Sequence, residues 1–194
     1  MQRVIKINVF GQILAEGYLI HGVYVSADRN TVTVVFPFPN NGVILATDNE
    51  QSLYVSYASV STESGKLSRL GSSYVYYHWG SSYDNNKISK IGDVSVYYWP
   101  DGDPVYYGKI KSVDGKNVYY WPDNDPVYYG KVKSVDGKNV YYWSGSDSDR
   151  GKVKTVYDAS VYYDSWDGRL KTIGSYSVYY DGGKVRSIGS YNLY

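Results

Sequence analysis

"GKIKSVDGKNVYYW" occupies residues 108–121, and "GKVKSVDGKNVYYW" occupies residues 130–143, with a single Ile-to-Val change between them. Counting the glycine as position 1, a tyrosine pair falls at positions 12 and 13, and this spacing can be followed along the chain. Further copies are "GKLSRLGSSYVYY" from Gly65, "NKISKIGDVSVYY" from Asn86, "GKVKTVYDASVYY" from Gly151, "GRLKTIGSYSVYY" from Gly168 and "GKVRSIGSYNLY" from Gly183. Tandem self-similarity of this kind specifies an array built from one supersecondary unit.

The connector from the second tyrosine to the next glycine varies. It is eight or nine residues long in the first four gaps, four in "DSWD" and two in "DG". A fixed spacing inside each copy implies two segments locked together by pairing, and a connector that can shrink this far is a loop. Each copy therefore reads as a β-hairpin, and successive hairpins form a continuous antiparallel meander. Asp181-Gly182 is the strongest tight-turn signal, because a primed turn needs positive φ at both central residues. The longer connectors carry a second Val-Tyr-Tyr, at 105–107 and 127–129, which is expected to lengthen the neighbouring strand.

Composition agrees. Aromatic residues make up 18% of the chain, with 26 Tyr, and Val, Ile, Thr and Ser fill most of the other repeat positions; such residues suit a pleated, half-buried surface. No apolar run reaches the roughly 18 residues of a membrane helix, and "MQRVIKINVF" lacks a signal-peptide core. A cytoplasmic protein, or one exported without a cleaved signal, is expected, and no membrane partner. The absence of Cys removes thiol chemistry, and a net charge of +1 gives no bulk attraction to a polyanion.

The chain divides near residue 64. Residues 1–64 hold all three Phe and no copy of the repeat, whereas 65–194 hold all five Trp. In the first part "RVIKINVF", "GVYVS", "TVTVVFPF", "GVILAT" and "SLYVSYASV" read as short strands separated by polar turns. The fold class is thus all-β, with a small sandwich or barrel-like domain preceding the hairpin array. At its length that domain is marginal alone, so it is expected to pack on the first repeats as a cap.

Strand alternation places Lys109, Lys111, Lys131, Lys133, Lys152 and Lys154 on one side as a basic stripe, opposite the aliphatic residues. Adjacent tyrosines must point to opposite faces, which suggests a thin, single-layer sheet with Lys stems lying over Tyr rings.

Little in the sequence suits catalysis. His21 and His78 stand outside any triad or metal spacing, and no cofactor, metal or catalytic residue is assigned. "WPDGDP" and "WPDNDP" lack the ligand series of a calcium loop and read as turns. Trp79, Trp99, Trp121, Trp143 and Trp166 each follow a tyrosine pair. They either plug their own hairpin ends or form a row which, with Asp101 and Asp123, could bind a carbohydrate. The basic stripe lacks the domain-wide charge of a nucleic-acid binder, so nucleic acid is not expected. The last copy, with Ser190, Tyr191, Asn192, Leu193 and Tyr194, offers a strand edge for self-association.

The stretch "YYDSWDGRLKTIGSYSVYYDGGKVRSIG" resembles the YD-type repeats of bacterial surface and toxin-shell proteins. It is similar, more weakly, to MORN repeats and aromatic cell-wall-binding repeats. The resemblance implies hairpin repeats used for scaffolding or binding. Two functions follow as expectations: a non-enzymatic scaffold that self-associates or binds partners through its sheet surface and terminal edge, or a carbohydrate or cell-wall polymer binder using the Trp/Tyr row.

Overall fold

A computed structural model describes residues 2–21, 23–30, 32–34, 43–47, 55–57, 66–80, 83–100, 102, 104–122, 125–145 and 148–193. Every regular element among them is a β-strand. The N-terminal part contributes β1 (Gln2–Asn8), β2 (Ile13–Ile20), β3 (Val23–Ser26), β4 (Val32–Val34) and β5 (Val43–Thr47), joined antiparallel in the order β4-β3-β2-β1-β5. A further strand, β6 (Val55–Tyr57), opens a second sheet of 15 strands that follows chain order to Tyr191–Asn192. This is the meander expected from the repeat spacing. The smaller sheet is open, not a sandwich or barrel, because its apolar residues Ile7, Ile20, Val23 and Val25 share one core with the array instead of closing on themselves.

Within each repeat the turn chemistry sets the register. Asp114 and Gly115, with φ of 51° and 73°, form the tight turn between strands Ile110–Val113 and Lys116–Tyr120. At the shortest connector the turn lies one residue later than Asp181-Gly182. Asp181 pairs with Lys184, leaving Gly182 and Gly183 as the central residues with φ of 55° and 81°. A register shift between Tyr179 and Tyr180 moves the pairing by that one residue.

The second Val-Tyr-Tyr segments are turns, not strand extensions. Pro104 and Pro126 precede them, and a proline cannot donate to a ladder. The Asp125 side chain accepts the Val127 N–H at 2.7 Å, and the Asp125 carbonyl accepts the Tyr128 and Tyr129 N–H groups at 3.0 and 2.9 Å. Val105 and Val127 are buried against the core.

One irregularity recurs at every junction between repeats. Val96 pairs with Val113 and Tyr97 with Ser112, but Tyr98 pairs with Ile110, so Lys111 is an extra residue in the ladder. Lys133, Lys154 and Lys171 hold the same place in later repeats. This β-bulge lets residues three apart, such as Ile110 and Val113, both face inward, which strict alternation forbids. Ordinary alternation on the unbulged strand separates the two tyrosines: Tyr120 and Tyr142 are buried, while Tyr119 and Tyr141 stay exposed. The sheet therefore has one covered face and one open face.

A bulge bends its strand and increases the local twist, and the array curls accordingly. The turn after β1 reaches the early repeats, where Val9 and Gly11 carbonyls accept from Ile88 and Leu67 N–H at 2.7 and 3.0 Å. The turn after β3 reaches the last copy, where the Arg29 carbonyl accepts from Val185 N–H at 3.0 Å. Strands Ile88–Ile91 and Lys184–Ile188 lie far apart in the sheet order, about 48 Å on a flat sheet at the usual strand spacing. A flat array could not touch both turns. Deleting residues 108–129 puts Gly130 in the place of Gly108 and keeps every local pairing rule, yet removes two strands from the arc. We expect native β-sheet circular dichroism with faster amide exchange at Val185 and Leu193; unchanged protection there would refute the curled span.

Candidate functional site

The covered face is organised around one recurring contact. The second tyrosine of each copy donates its hydroxyl to the carbonyl at position 3 of the same copy: Tyr77 to Leu67, Tyr98 to Ile88, Tyr120 to Ile110, Tyr142 to Val132 and Tyr180 to Leu170, at 2.5 to 3.0 Å. The basic residue at position 2 then lies over that ring. Lys109 Nζ is 4.8 Å from the Tyr120 ring centre, and Lys131 Nζ is 4.8 Å from that of Tyr142. The same ammonium donates onward to the carbonyl of the next copy's first residue, Lys109 to Gly130 at 2.9 Å and Lys131 to Gly151 at 2.7 Å. The copies starting at residues 65, 86, 108, 130 and 151 are thus each tied to their successor by a part-buried lysine, and in the copy starting at 168 Arg169 lies over the Tyr180 ring.

This geometry accounts for the leading glycine. Gly130 has φ of 70°, and a Cβ there would stand 2.9 Å from Lys109 Nζ. Asn86, the exception, adopts φ of 63° and offers its side-chain oxygen to Lys66 Nζ at 3.1 Å. Asparagine is among the few side chains that tolerate the left-handed region.

The open face carries a different set. Tyr76, Tyr97, Tyr119, Tyr141, Tyr162 and Tyr179 hold the same position in successive copies and are 41% to 57% exposed. Because paired residues share a face, the rows continue across the sheet through polar side chains, as in Tyr97–Ser112–Asn117 and Tyr119–Ser134–Asn139, where the serine is buried and the asparagine exposed, and in Tyr76–Lys90–Ser95. The bulge lysines flank these rows. Lys111, Lys133 and Lys154 sit 5.1, 4.9 and 4.8 Å over the rings of Trp99, Trp121 and Trp143.

No protein-family model, curated protein or solved structure matches this chain.

The residues singled out in the sequence fall into distinct groups. Trp99, Trp121 and Trp143 are in register and half-buried. The indole N–H of Trp99 donates to Val118 O at 3.1 Å, that of Trp121 to Val140 O at 3.4 Å, and that of Trp143 meets no acceptor among the described residues. Trp79 and Trp166, 67% and 95% exposed, stand outside this register. The position before Trp79 belongs to His78, which bonds Val96 O at 3.1 Å in the manner of the tryptophans. The five tryptophans therefore do not form one row. Asp101, Asp123 and Tyr194 lie outside the described residues. The basic stripe splits in two: Lys109, Lys131 and Lys152 join copies, and Lys111, Lys133 and Lys154 cap tryptophans. At the last copy the strand is two residues long. Leu193 is buried, its carbonyl accepts from the Arg29 guanidinium at 2.9 Å, and Tyr191 meets the His21 ring at 5.2 Å. Ser190 and Asn192 are exposed. Alternation in the sequence already puts the two tyrosines of each pair on opposite faces; which of the two faces is covered, and that the Tyr76-to-Tyr179 ladder is the uncovered one, is visible only in the structure.

Burial dominates the titration of the ring network. It raises Tyr98, Tyr120 and Tyr142 far above the ordinary 10.0 and pushes Tyr163 and Tyr180 up to about 12. Burial also lowers Lys87 and Lys131 below their ordinary 10.5. The unfolded chain releases tyrosine protons near pH 10 that the folded chain retains, so stability is intact below that pH and falls as pH rises through 10 to 12 and beyond. The two lysines act oppositely just below 10.5, because the unfolded chain there holds their protons more tightly. We expect alkaline unfolding to begin above pH 10, with tyrosinate absorbance appearing together with loss of β-structure; smooth titration of all tyrosines without unfolding would contradict this. Independently, Lys131→Met keeps an apolar stem over Tyr142 and loses the bond to Gly151. Urea unfolding should show a loss of about 1 to 2 kcal/mol, and no change would remove the clamp from the account of stability.

Proposed function

We propose that this chain is a non-enzymatic scaffold that binds a partner through the open face of its repeat sheet. The observation that carries this is the exposed tyrosine ladder. Position 12 is Tyr in Tyr76, Tyr97, Tyr119, Tyr141, Tyr162 and Tyr179, and these rings keep 41% to 57% of their surface exposed even where they meet a tryptophan, as Tyr119 meets Trp99 at 5.8 Å and Tyr141 meets Trp121 at 6.2 Å. Exposed large rings in a contiguous array are a common mark of an interaction surface. Repetition at fixed spacing suits a partner that is itself extended, since several weak equivalent contacts combine into useful avidity.

The sheet face is favoured over the terminal edge as the place of contact. A very short edge strand tied down by a neighbouring side chain is the usual protection against strand addition, and Tyr191–Asn192 with the Arg29–Leu193 bond has that form. The histidines are likewise engaged in structure: His21 stacks on Tyr176 at 3.6 Å, and His78 lies 3.5 Å from the buried Asp84 carboxylate.

The test is a variant carrying Tyr97→Ser, Tyr119→Ser and Tyr141→Ser, screened beside the unaltered chain against soluble polysaccharides, oligonucleotides and acidic or basic polypeptides. Surface substitutions usually change stability by about 0.5 kcal/mol or less each, and more where Tyr119 and Tyr141 meet Trp99 and Trp121, so retention of native β-sheet circular dichroism is the control for folding of the variant. Loss of whatever binding the unaltered chain has would support the open face, and undiminished binding would exclude it.

A further inference from the structure

The open face is sorted by charge as well as by ring content. In every copy the positions that the bulged register places on this face, 4, 5, 10 and 12, hold Lys, Arg, Ser, Thr, Asn or Tyr and never Asp or Glu. The carboxylates within the copies, Asp93, Asp114, Asp136 and Asp158, all lie in the hairpin turns at one margin. Along the middle of the face Lys111, Lys133 and Lys154 recur once per copy, and no carboxylate among the described residues forms an ion pair with them. The chain is nearly neutral overall, yet this face is cationic and aromatic.

Resting on the open-face reading, we propose that the occupant is a linear acidic polysaccharide, with about one carboxylate for each pair of sugars. Three features select it. Tyrosine rings offer platforms for the apolar faces of sugar rings, and the tyrosine hydroxyls with the exposed amides of Asn117 and Asn139 at the ends of these rows supply neutral donors and acceptors of the kind sugar hydroxyls require, Ser112 and Ser134 between them being buried. One cation stands beside each such row. Copies repeat every two strands, about 9.6 Å, which is close to one disaccharide of an extended glycan. A single-stranded nucleic acid places phosphates more densely and draws most of its affinity from neutralising them, which one lysine per copy does poorly. The Trp99, Trp121 and Trp143 rings serve as seats that hold these lysines up at the surface.

Affinity electrophoresis of the full chain separates the possibilities. The gels would contain hyaluronan, hyaluronan with its carboxylates reduced to alcohols, or no polymer, and poly(U) binding would be measured by fluorescence anisotropy. Retardation by hyaluronan alone, weakening as salt is raised, is the expected result. The triple variant Lys111→Gln, Lys133→Gln, Lys154→Gln should reduce retardation about tenfold or more, since it removes several cooperating contacts. Should that variant fail to fold, Lys171→Gln, at the equivalent bulge where no tryptophan is covered, should still weaken binding measurably. Equal retardation by the reduced polymer would overturn the acidic assignment while leaving the open face as a glycan surface. Tighter binding of poly(U) would overturn it in favour of nucleic acid. No retardation by either glycan would overturn it outright, and the tyrosine triple variant then decides separately whether the open face binds anything.

Discussion

One cation at the second position of each copy holds the array together. A two-stranded hairpin in water is marginal at best, so the repeats must gain their stability at the junctions. At four successive junctions a lysine ammonium lies over a tyrosine ring and bonds the first carbonyl of the next copy, as Lys109 does with Tyr120 and Gly130. A cation over a ring contributes about 0.5 to 1 kcal/mol at an exposed site, and more as water is excluded. The bond to the carbonyl satisfies a backbone acceptor that the turn would otherwise leave open. The leading glycine follows from the positive φ of the turn at this contact, as at Gly130 with φ of 70°, and asparagine, which tolerates that region, replaces it at Asn86. The tyrosine hydroxyl also follows, since its bond to the position-3 carbonyl fixes the ring beneath the lysine.

Shape comes from a second, separate device. The extra residue at position 4 makes each junction a bulge, and bulges repeated with the same sense at successive junctions accumulate into a curl. That curl lets a small N-terminal sheet touch both the Leu67 and Val185 regions. The sheet contributes Ile7, Ile20, Val23 and Val25 to the array's core and covers its last strand. A meander has two edges wherever it stops. Here the end nearest the C-terminus is made short, bonded through Arg29 and stacked beside His21, so the domain that looks unrelated to the repeats in sequence shields their final edge.

Much of this could be read in advance, for identifiable reasons. Fixed spacing inside "GKIKSVDGKNVYY" and variable connectors outside it reveal hairpins directly, because pairing constrains length and loops do not. The Asp181-Gly182 turn was displaced by one residue, and the basic stripe was divided in two, through the same cause: a bulge adds a residue without altering the pattern of apolar and polar letters. The strand expected at "PVYY" failed because proline and an Asp125 side-chain bond favour a turn, and high β-propensity in three letters does not outweigh them. Contacts between the N-terminal sheet and the distant last copy join residues more than 150 positions apart, as Arg29 and Leu193 are, and no local pattern encodes them.

The departures among copies separate what is structural from what is not. Where the contact matters, a different residue performs it: Asn86 accepts from Lys66 through its amide oxygen, and His78 takes the place of tryptophan against Val96. Buried apolar positions drift among Leu, Ile and Val, as Leu67, Ile88, Ile110 and Val132 do. Position 12 is exposed and remains tyrosine even between the copies starting at 65 and 168, which differ at many of their other positions. Burial explains the second tyrosine of each pair. The first packs one side against a tryptophan, as Tyr119 does with Trp99, Tyr141 with Trp121 and Tyr162 with Trp143, and leaves the rest of its ring to solvent on the open face.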